Sequence, residues 1–225
     1  MSDLRGGEHG EAGSNSATVG VGPWAGPLPA GEHFDPELLR DGDTRNVVDA
    51  YRYWRHEAIV ADLDSRRHEL HIAVENWGHD FNIGSVIRTA NAMNVAAFHI
   101  VGKRRWNRRG AMVTDRYQRE HHHPDIAALA AWAATQPGDA PGAPLPLLAI
   151  DNLPGALPLE TYPLPRRCLL LFGQEGPGLT PEALAAADAV LEIAQFGSTR
   201  SMNAGAAAAI AMHAWVRAHV FDQQV

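Results

Sequence analysis

The stretch Cys168-Leu169-Leu170-Leu171-Phe172-Gly173-Gln174-Glu175-Gly176-Pro177-Gly178-Leu179-Thr180-Pro181-Glu182 decides the fold. It opens with an unbroken apolar run, as expected of a strand covered on both faces. Gly176-Pro177-Gly178 then forces an irregular turn. Thr180-Pro181 follows as a helix start, with Thr180 as cap and Pro181 in the first helical position. Strand, glycine turn and helix in that order mark one unit of a parallel α/β sheet.

The alternation extends in both directions. Apolar runs predict further strands at residues 70–74, 96–101, 147–150 and 189–193. Helical patterns cover residues 82–93, 125–134 and 201–220. Upstream, Val47, Ala50, Tyr51, Trp54, Ala58 and Ile59 recur at spacings of three and four and predict a helix over 46–63. Residues 1–42 are rich in Gly, Ala, Pro and acidic side chains and read as a disordered or loosely docked tail. The expected organisation is therefore a flexible tail (1–42), a helical extension (43–66) and an α/β domain (67–225).

Composition narrows the function class. With 225 residues, 45% of them hydrophobic and 20% charged, the chain supports one substantial core plus an appendage. No apolar run is long enough to span a bilayer, and no charged n-region precedes an apolar core, so we read the protein as cytoplasmic. Cys168 is the lone cysteine, which excludes an internal disulfide and argues against a zinc–thiolate site. His121, His122 and His123 read as a loop whose spacing does not converge on one ion, so no metal is expected. The net charge of −7 argues against nucleic acid, but the basic residues are concentrated. Lys103, Arg104, Arg105, Arg108 and Arg109 surround Trp106 and Asn107, a mixture suited to phosphate contacts and base stacking. Arg116 and Arg119 extend the patch.

In an open parallel sheet, ligands sit beyond the carboxyl ends of the strands. The glycines of 173–178 follow neither the dinucleotide fingerprint nor the phosphate loop, which leaves open a nucleotide-like ligand held by backbone groups. Arg88 interrupts an apolar helical face, Asn82 stands at that helix's cap, and Glu175, Ser201 and Asn203 fall at other strand ends. An arginine in such company calls for an anionic or acceptor partner.

Together these segments resemble the SpoU (TrmH-like) branch of the SPOUT RNA methyltransferases. The first motif, Asn-x-Gly-x-x-x-Arg-x-Ala, is met by Asn82, Gly84, Arg88 and Ala90. The second, Gly-x-Glu-x-x-Gly, is met by Gly173, Glu175 and Gly178. The third ends in Ser-x-Asn, met by Ser201 and Asn203 with Gly197 upstream. The resemblance covers about residues 70–220. Two departures are Ala194, where the motif usually has proline, and Gly205, where it usually has serine.

The resemblance implies a parallel sheet flanked by helices with a deep C-terminal trefoil knot. It implies a homodimer that uses S-adenosylmethionine to methylate a ribose 2′-hydroxyl of tRNA or rRNA, without a metal. By motif position, Gly173, Glu175, Gly178, Ile193 and Met202 would line the cofactor pocket. Arg88 would act as the base or orient the hydroxyl, with Asn82, Glu175, Ser201 and Asn203 positioning Arg88 and the ribose, and Lys103, Arg104, Arg105, Trp106, Arg108 and Arg109 would hold RNA. Two competing readings use the same scaffold: a non-catalytic RNA-binding or ribosome-assembly protein, and a base rather than ribose methyltransferase.

Overall fold

The structure is a computed structural model that describes residues 20–76, 82–174, 176–221 and 223. The chain forms two compact units, Met1–Arg55 and His56–Val225.

In the first unit, the part of the expected tail before residue 20 lies outside the described residues. From Gly20 onward the segment is built. Helix α1, Pro36–Asp41, is capped by the Asp35 carboxylate and buries Leu39. Its organiser is Asp43, a fully buried carboxylate. Asp43 takes bidentate bonds from Arg45 (2.8 and 2.7 Å) and a third from the Tyr53 amide (2.9 Å). These donors hold the Asp43 carboxyl at about 2 against the opposing effect of burial. The same bonds explain why the helix expected over 46–63 does not form as one piece. The Tyr53 amide is committed to Asp43, and Tyr53 itself takes a left-handed φ of 63°. What remains upstream is a short 3-10 turn, Asp49–Tyr51.

The second unit begins with α2, His56–Ser65, and then follows the expected alternation. Strand β1 is Leu70–Asn76, α3 is Ile83–Ala92 and β2 is Ala97–Gly102. Then come β3, Glu120–His123, α4, Ile126–Ala134, β4, Leu147–Ile150, and β5, Leu157–Pro158. Strand β6 is Cys168–Phe172, α5 is Pro181–Ala186, β7 is Ala189–Glu192 and α6 is Ala204–His219. All pairings are parallel, in the order β3-β2-β1-β6-β4-β7-β5.

The period of two in the strands divides the core. Cys168, Leu170 and Phe172 of β6 face one cluster, with Ile83, Val86 and Ile87 of α3 and Met212 and Trp215 of α6. Leu169 and Leu171 face the other, with Ile126 and Leu129 of α4 and Ala183 of α5. Helices on both faces are why β6 has no polar position at all. The central place of β6 also buries Cys168 completely and raises its thiol pKa, which keeps it unreactive.

The histidines at 121–123 lie in strand β3, not in a loop. On the α4 face His121 and His123 join two histidines of other strands, His99 of β2 and His71 of β1. His71 Nδ1 lies 3.1 Å from His99 Nε2, and His99 Nδ1 lies 3.0 Å from His123 Nε2. His121 stacks on His99, and Trp132 of α4 covers the row. Burial pulls His71 down to about 4 and His99 well below its ordinary value, with His121 and His123 lowered in the same sense. Among the described residues no group of three or more His, Cys, Asp or Glu is arranged to hold a metal. A depressed histidine pKa means that the unfolded chain binds more protons once pH drops below about 6.5. Stability from this row is therefore complete above about 6.5 and is lost as pH falls toward about 4. Urea midpoints followed by circular dichroism should be flat from neutral to mildly alkaline pH and should fall steadily across that window. A flat profile down to pH 4 would show that the row tolerates charge.

Candidate functional site

The carboxyl ends of β4, β6 and β7 converge on a cavity of about 380 Å³, lined at its floor by Ile150, Phe172 and Ile193. One wall is the turn after β6. Gln174 and Gly178 exchange two backbone hydrogen bonds, each 3.1 Å, which close the turn on itself. Gly178 has φ 74°, a conformation that favours glycine. Gly173 packs its bare Cα against the backbone of Gly178 and Leu179, so no side chain fits there. The opposite wall is Ser201-Met202-Asn203, just before α6.

Asn203 ties this wall to α3. Its Oδ1 accepts from the amides of Gly205 (2.9 Å) and Ala206 (3.2 Å), which caps α6. Its Nδ2 donates to Asn82 Oδ1 at 3.0 Å. The expected capping role of Asn82 is accordingly not seen: its side chain makes no cap bond to α3 and turns to Asn203 instead. Gly205, a departure from the motif, has a physical reason. A Cβ there would meet Ser85 Oγ of α3 at 2.9 Å, so glycine lets the two helices close together.

Of the residues expected to hold a cofactor, Gly173, Gly178, Ile193 and Met202 all line the cavity. Ser201 and Asn203 line it too, and Asn82 borders a smaller adjoining space with Gly173 and Gln174. Glu175 lies outside the described residues. Arg88 is exposed on α3 and does not line the cavity.

The basic segment is anchored by Asn76 at the end of β1, whose Nδ2 donates to the carbonyls of Lys103 (2.6 Å) and Arg105 (3.1 Å). Lys103, Arg104, Arg105 and Arg109 are exposed. Trp106 corrects the expectation of a stacking platform: it is buried in the core, with Arg108 over its ring at 4.6 Å. Arg108 is also tied to Asp115 (2.5 Å) and Glu120 (3.1 Å), so much of its charge is answered within the protein. Arg119 is likewise paired, with Asp64 at 2.8 Å. Gly110, at the far end of the segment, rests on Gly84 of α3. Arg88 lies one helical turn beyond Gly84 on α3.

The sequence reading missed Glu75, Asp151, Asn152 and Gln195. Asp151, Asn152 and Gln195 line the cavity, and Asn152 Nδ2 also holds the Arg200 carbonyl at 3.1 Å. The available signal was position: Asp151-Asn152 directly follows an apolar strand, where ligand-facing polar residues collect.

Residues 69–213 match the model of the SpoU rRNA Methylase family. The chain belongs to that family. A curated relative, the tRNA (guanosine(18)-2'-O)-methyltransferase of Escherichia coli K12, is 26% identical over 162 residues, which cover 71% of this chain and 68% of the relative. The solved SpoU methyltransferase AviRb of Streptomyces viridochromogenes superposes with a TM-score of 0.63 at 23% identity, covering 73% of this chain. This SpoU member spans less than two thirds of the AviRb chain, 65%. The TrmH/SpoU tRNA modifying enzyme of A. aeolicus gives a TM-score of 0.63 at 17% identity, over 75% of this chain and 84% of that one. The likeness to these structures is one of fold: a parallel sheet between helices, as described above.

Proposed function

We propose that this SpoU family member transfers the methyl group of S-adenosylmethionine to a ribose 2′-hydroxyl of tRNA or rRNA. The observation that carries the reading is the cavity lined by the second and third motifs, with Asn203 on its wall bonded to Asn82 of the first. Its volume, about 380 Å³, suits a nucleoside-sized ligand. Its walls offer backbone groups at Gly173, Gly176 and Gly178, with Asp151 as the one charged residue among the described lining residues, which fits a cofactor gripped by its adenosine. A structure of AviRb with AdoMet has been solved; it superposes on this chain with a TM-score of 0.61 at 23% identity.

When bound, S-adenosylmethionine supplies an electrophilic methyl group on a sulfonium. The chain's own residues do the rest. Gly173, Gly178, Ile193, Met202 and Glu175 hold the cofactor. Asn82, Ser201, Asn203 and Glu175 place the ribose, and Arg88 binds phosphate and orients the hydroxyl for attack. Exposed Lys103, Arg104, Arg105 and Arg109 contact the RNA backbone, and Arg108 adds what charge its carboxylates leave.

The exposure of Arg88 outside the cavity supports a homodimer in which each site is completed by a second copy. The C-terminal knot and a catalytic domain over residues 67–225 belong to the same proposal, as does action in the cytoplasm. No helix among the described residues is long and apolar enough to cross a membrane.

The test is methyl transfer from labelled S-adenosylmethionine to tRNA and to rRNA, followed by mass spectrometry of the digested nucleosides. A ribose-methylated nucleoside is the expected product. A base-methylated product, or RNA binding without any transfer, would replace this reading with one of its competitors.

A further inference from the structure

We propose that Glu75 and Asp151 act together as positioning residues, a carboxylate clip that holds the exit limb of the turn Gln174–Gly178 in its cofactor-binding shape. This rests on the methyltransferase reading above.

Strand β6 runs between β1 and β4. Phe172 is in register with Val74 on one side and Ile150 on the other. The next residues along the flanking strands are Glu75 and Asp151, so two carboxylates stand on either side of Gly173, where the turn begins. Both reach the same limb of chain as it comes back. Asp151 Oδ2 accepts from the Leu179 amide at 3.2 Å. Glu75 Oε2 accepts from the Thr180 amide at 2.8 Å, and its Oε1 accepts from Thr180 Oγ1 at 2.7 Å. Two consecutive amides are thus held by two carboxylates from opposite sides.

Each grip is itself fixed. Asp151 Oδ1 accepts from the Asn152 amide at 2.8 Å, which locks the side chain's angle. Asp151 Oδ2 also lies against Gly178, where a Cβ would meet it at 2.9 Å. Thr180 Oγ1 accepts in turn from the Ala183 amide at 3.2 Å, so the Glu75 bond also sets the start of α5. Glu75 is only 2% exposed. A buried carboxylate is costly to keep, and an apolar residue would serve the core better. What the carboxylates provide is strong acceptance from backbone amides, stronger than a neutral side chain gives. Gln174 and Gly178 close the turn with a pair of backbone bonds, which do not reach the limb beyond Gly178. Leu179 is also packed in the core beside α5, and the clip adds to that packing the bonds that fix the limb's backbone against the wall of the cavity.

The clip predicts a specific split in function. It acts on cofactor binding through the turn, by bonds to Leu179 and Thr180 rather than to Arg88 or the basic segment. The variants are Asp151→Ala, Glu75→Ala and Glu75→Gln in the full chain. Glutamine keeps one acceptor for the Thr180 amide and tests rescue, and it serves if Glu75→Ala fails to fold. Two readouts are used: amide hydrogen exchange at Leu179 and Thr180 without ligand, and calorimetric affinity for S-adenosylhomocysteine. Hydrogen bonds to charged groups set the scale, so exchange should quicken and affinity should fall by about tenfold or more in Asp151→Ala and Glu75→Ala. Glu75→Gln should fall between these and the unaltered protein, and KM for RNA should change by less than about twofold, since the RNA contacts are not altered. Folded Asp151→Ala and Glu75→Gln proteins with unaltered exchange and unaltered affinity would overturn the clip. If the unaltered protein does not bind S-adenosylhomocysteine, the methyltransferase reading fails and takes the clip's role in it along. The exchange data would still report whether the carboxylates hold the limb.

Discussion

Arg88→Ala is expected to lower methyl transfer by about 10²–10³-fold, the loss typical of removing one preorganised electrostatic contact, with affinity for S-adenosylhomocysteine unchanged. The two halves of this expectation have separate structural grounds. Arg88 is exposed on α3, and surface substitutions of this kind alter stability by no more than about 0.5 kcal/mol. It does not line the cavity, so the cofactor's contacts survive its loss. The deficit should therefore appear in turnover with saturating RNA, measured by single-turnover transfer, and not in calorimetry. Arg88→Lys should recover only part of the rate, because a point charge does not reproduce the planar fork that grips phosphate in two places. Equal transfer by the Ala variant and the unaltered enzyme would remove Arg88 from the site.

The reasons for singling out Arg88 show what kind of signal the sequence carries. A cation on an apolar helical face is anomalous by pattern, and so are glycines following a buried strand. The strand run 168–172 placed the sheet because a strand covered on both faces has no polar positions to confuse its reading. Thr180 and Pro181 placed the start of α5 by local chemistry, and the Thr180 side chain does cap it through the Ala183 amide. Local rules failed where the decisive partner is distant in sequence or hidden by composition. The break at Tyr53 depends on a carboxylate ten residues upstream, which helical periodicity does not register. Strand β3 is Glu-His-His-His, polar in every position, and it forms because β2 offers an edge and Trp132 a cover.

The site shows the same division. The residues of the second and third motifs that line the cavity were legible because they stand beyond the carboxyl end of a strand or at a helix cap. Trp106 was misjudged because an aromatic among cations looks the same whether its ring faces RNA or the core; only packing distinguishes them. Glu75 and Asp151 were missed because each sits alone in its strand's sequence. Their relation appears only when β1, β6 and β4 lie side by side.

Gly173→Ala is expected to have the largest effect on the cofactor, lowering affinity by about 100-fold or more, the equivalent of roughly 3 kcal/mol. The methyl group has nowhere to go. It falls on the carbonyl carbon of Gly178 and the amide of Leu179, and it comes within 2.6 Å of the Gly178 oxygen. All of these are backbone atoms, so no rotamer change relieves the clash. Relief requires the limb Gly178–Thr180 to move out, which breaks the Gln174–Gly178 pair and loosens the bonds to Asp151 and Glu75. Several bonds are lost for one added methyl, and the wall of the cavity is displaced with them. Gly176→Ala is the control from the same turn. Nothing lies within 4 Å of its Cβ position, and only its φ of 94° resists substitution. A left-handed backbone costs an ordinary residue about 1–2 kcal/mol, so Gly176→Ala should weaken binding by about tenfold. Calorimetry with S-adenosylhomocysteine, paired with thermal unfolding to confirm an intact core, separates the two. The ordering follows from whether the added methyl meets backbone or open space. Equal losses in both variants would mean that the turn responds to any side chain, and that the tight seam between Gly173 and Gly178 has no special part in holding the cofactor.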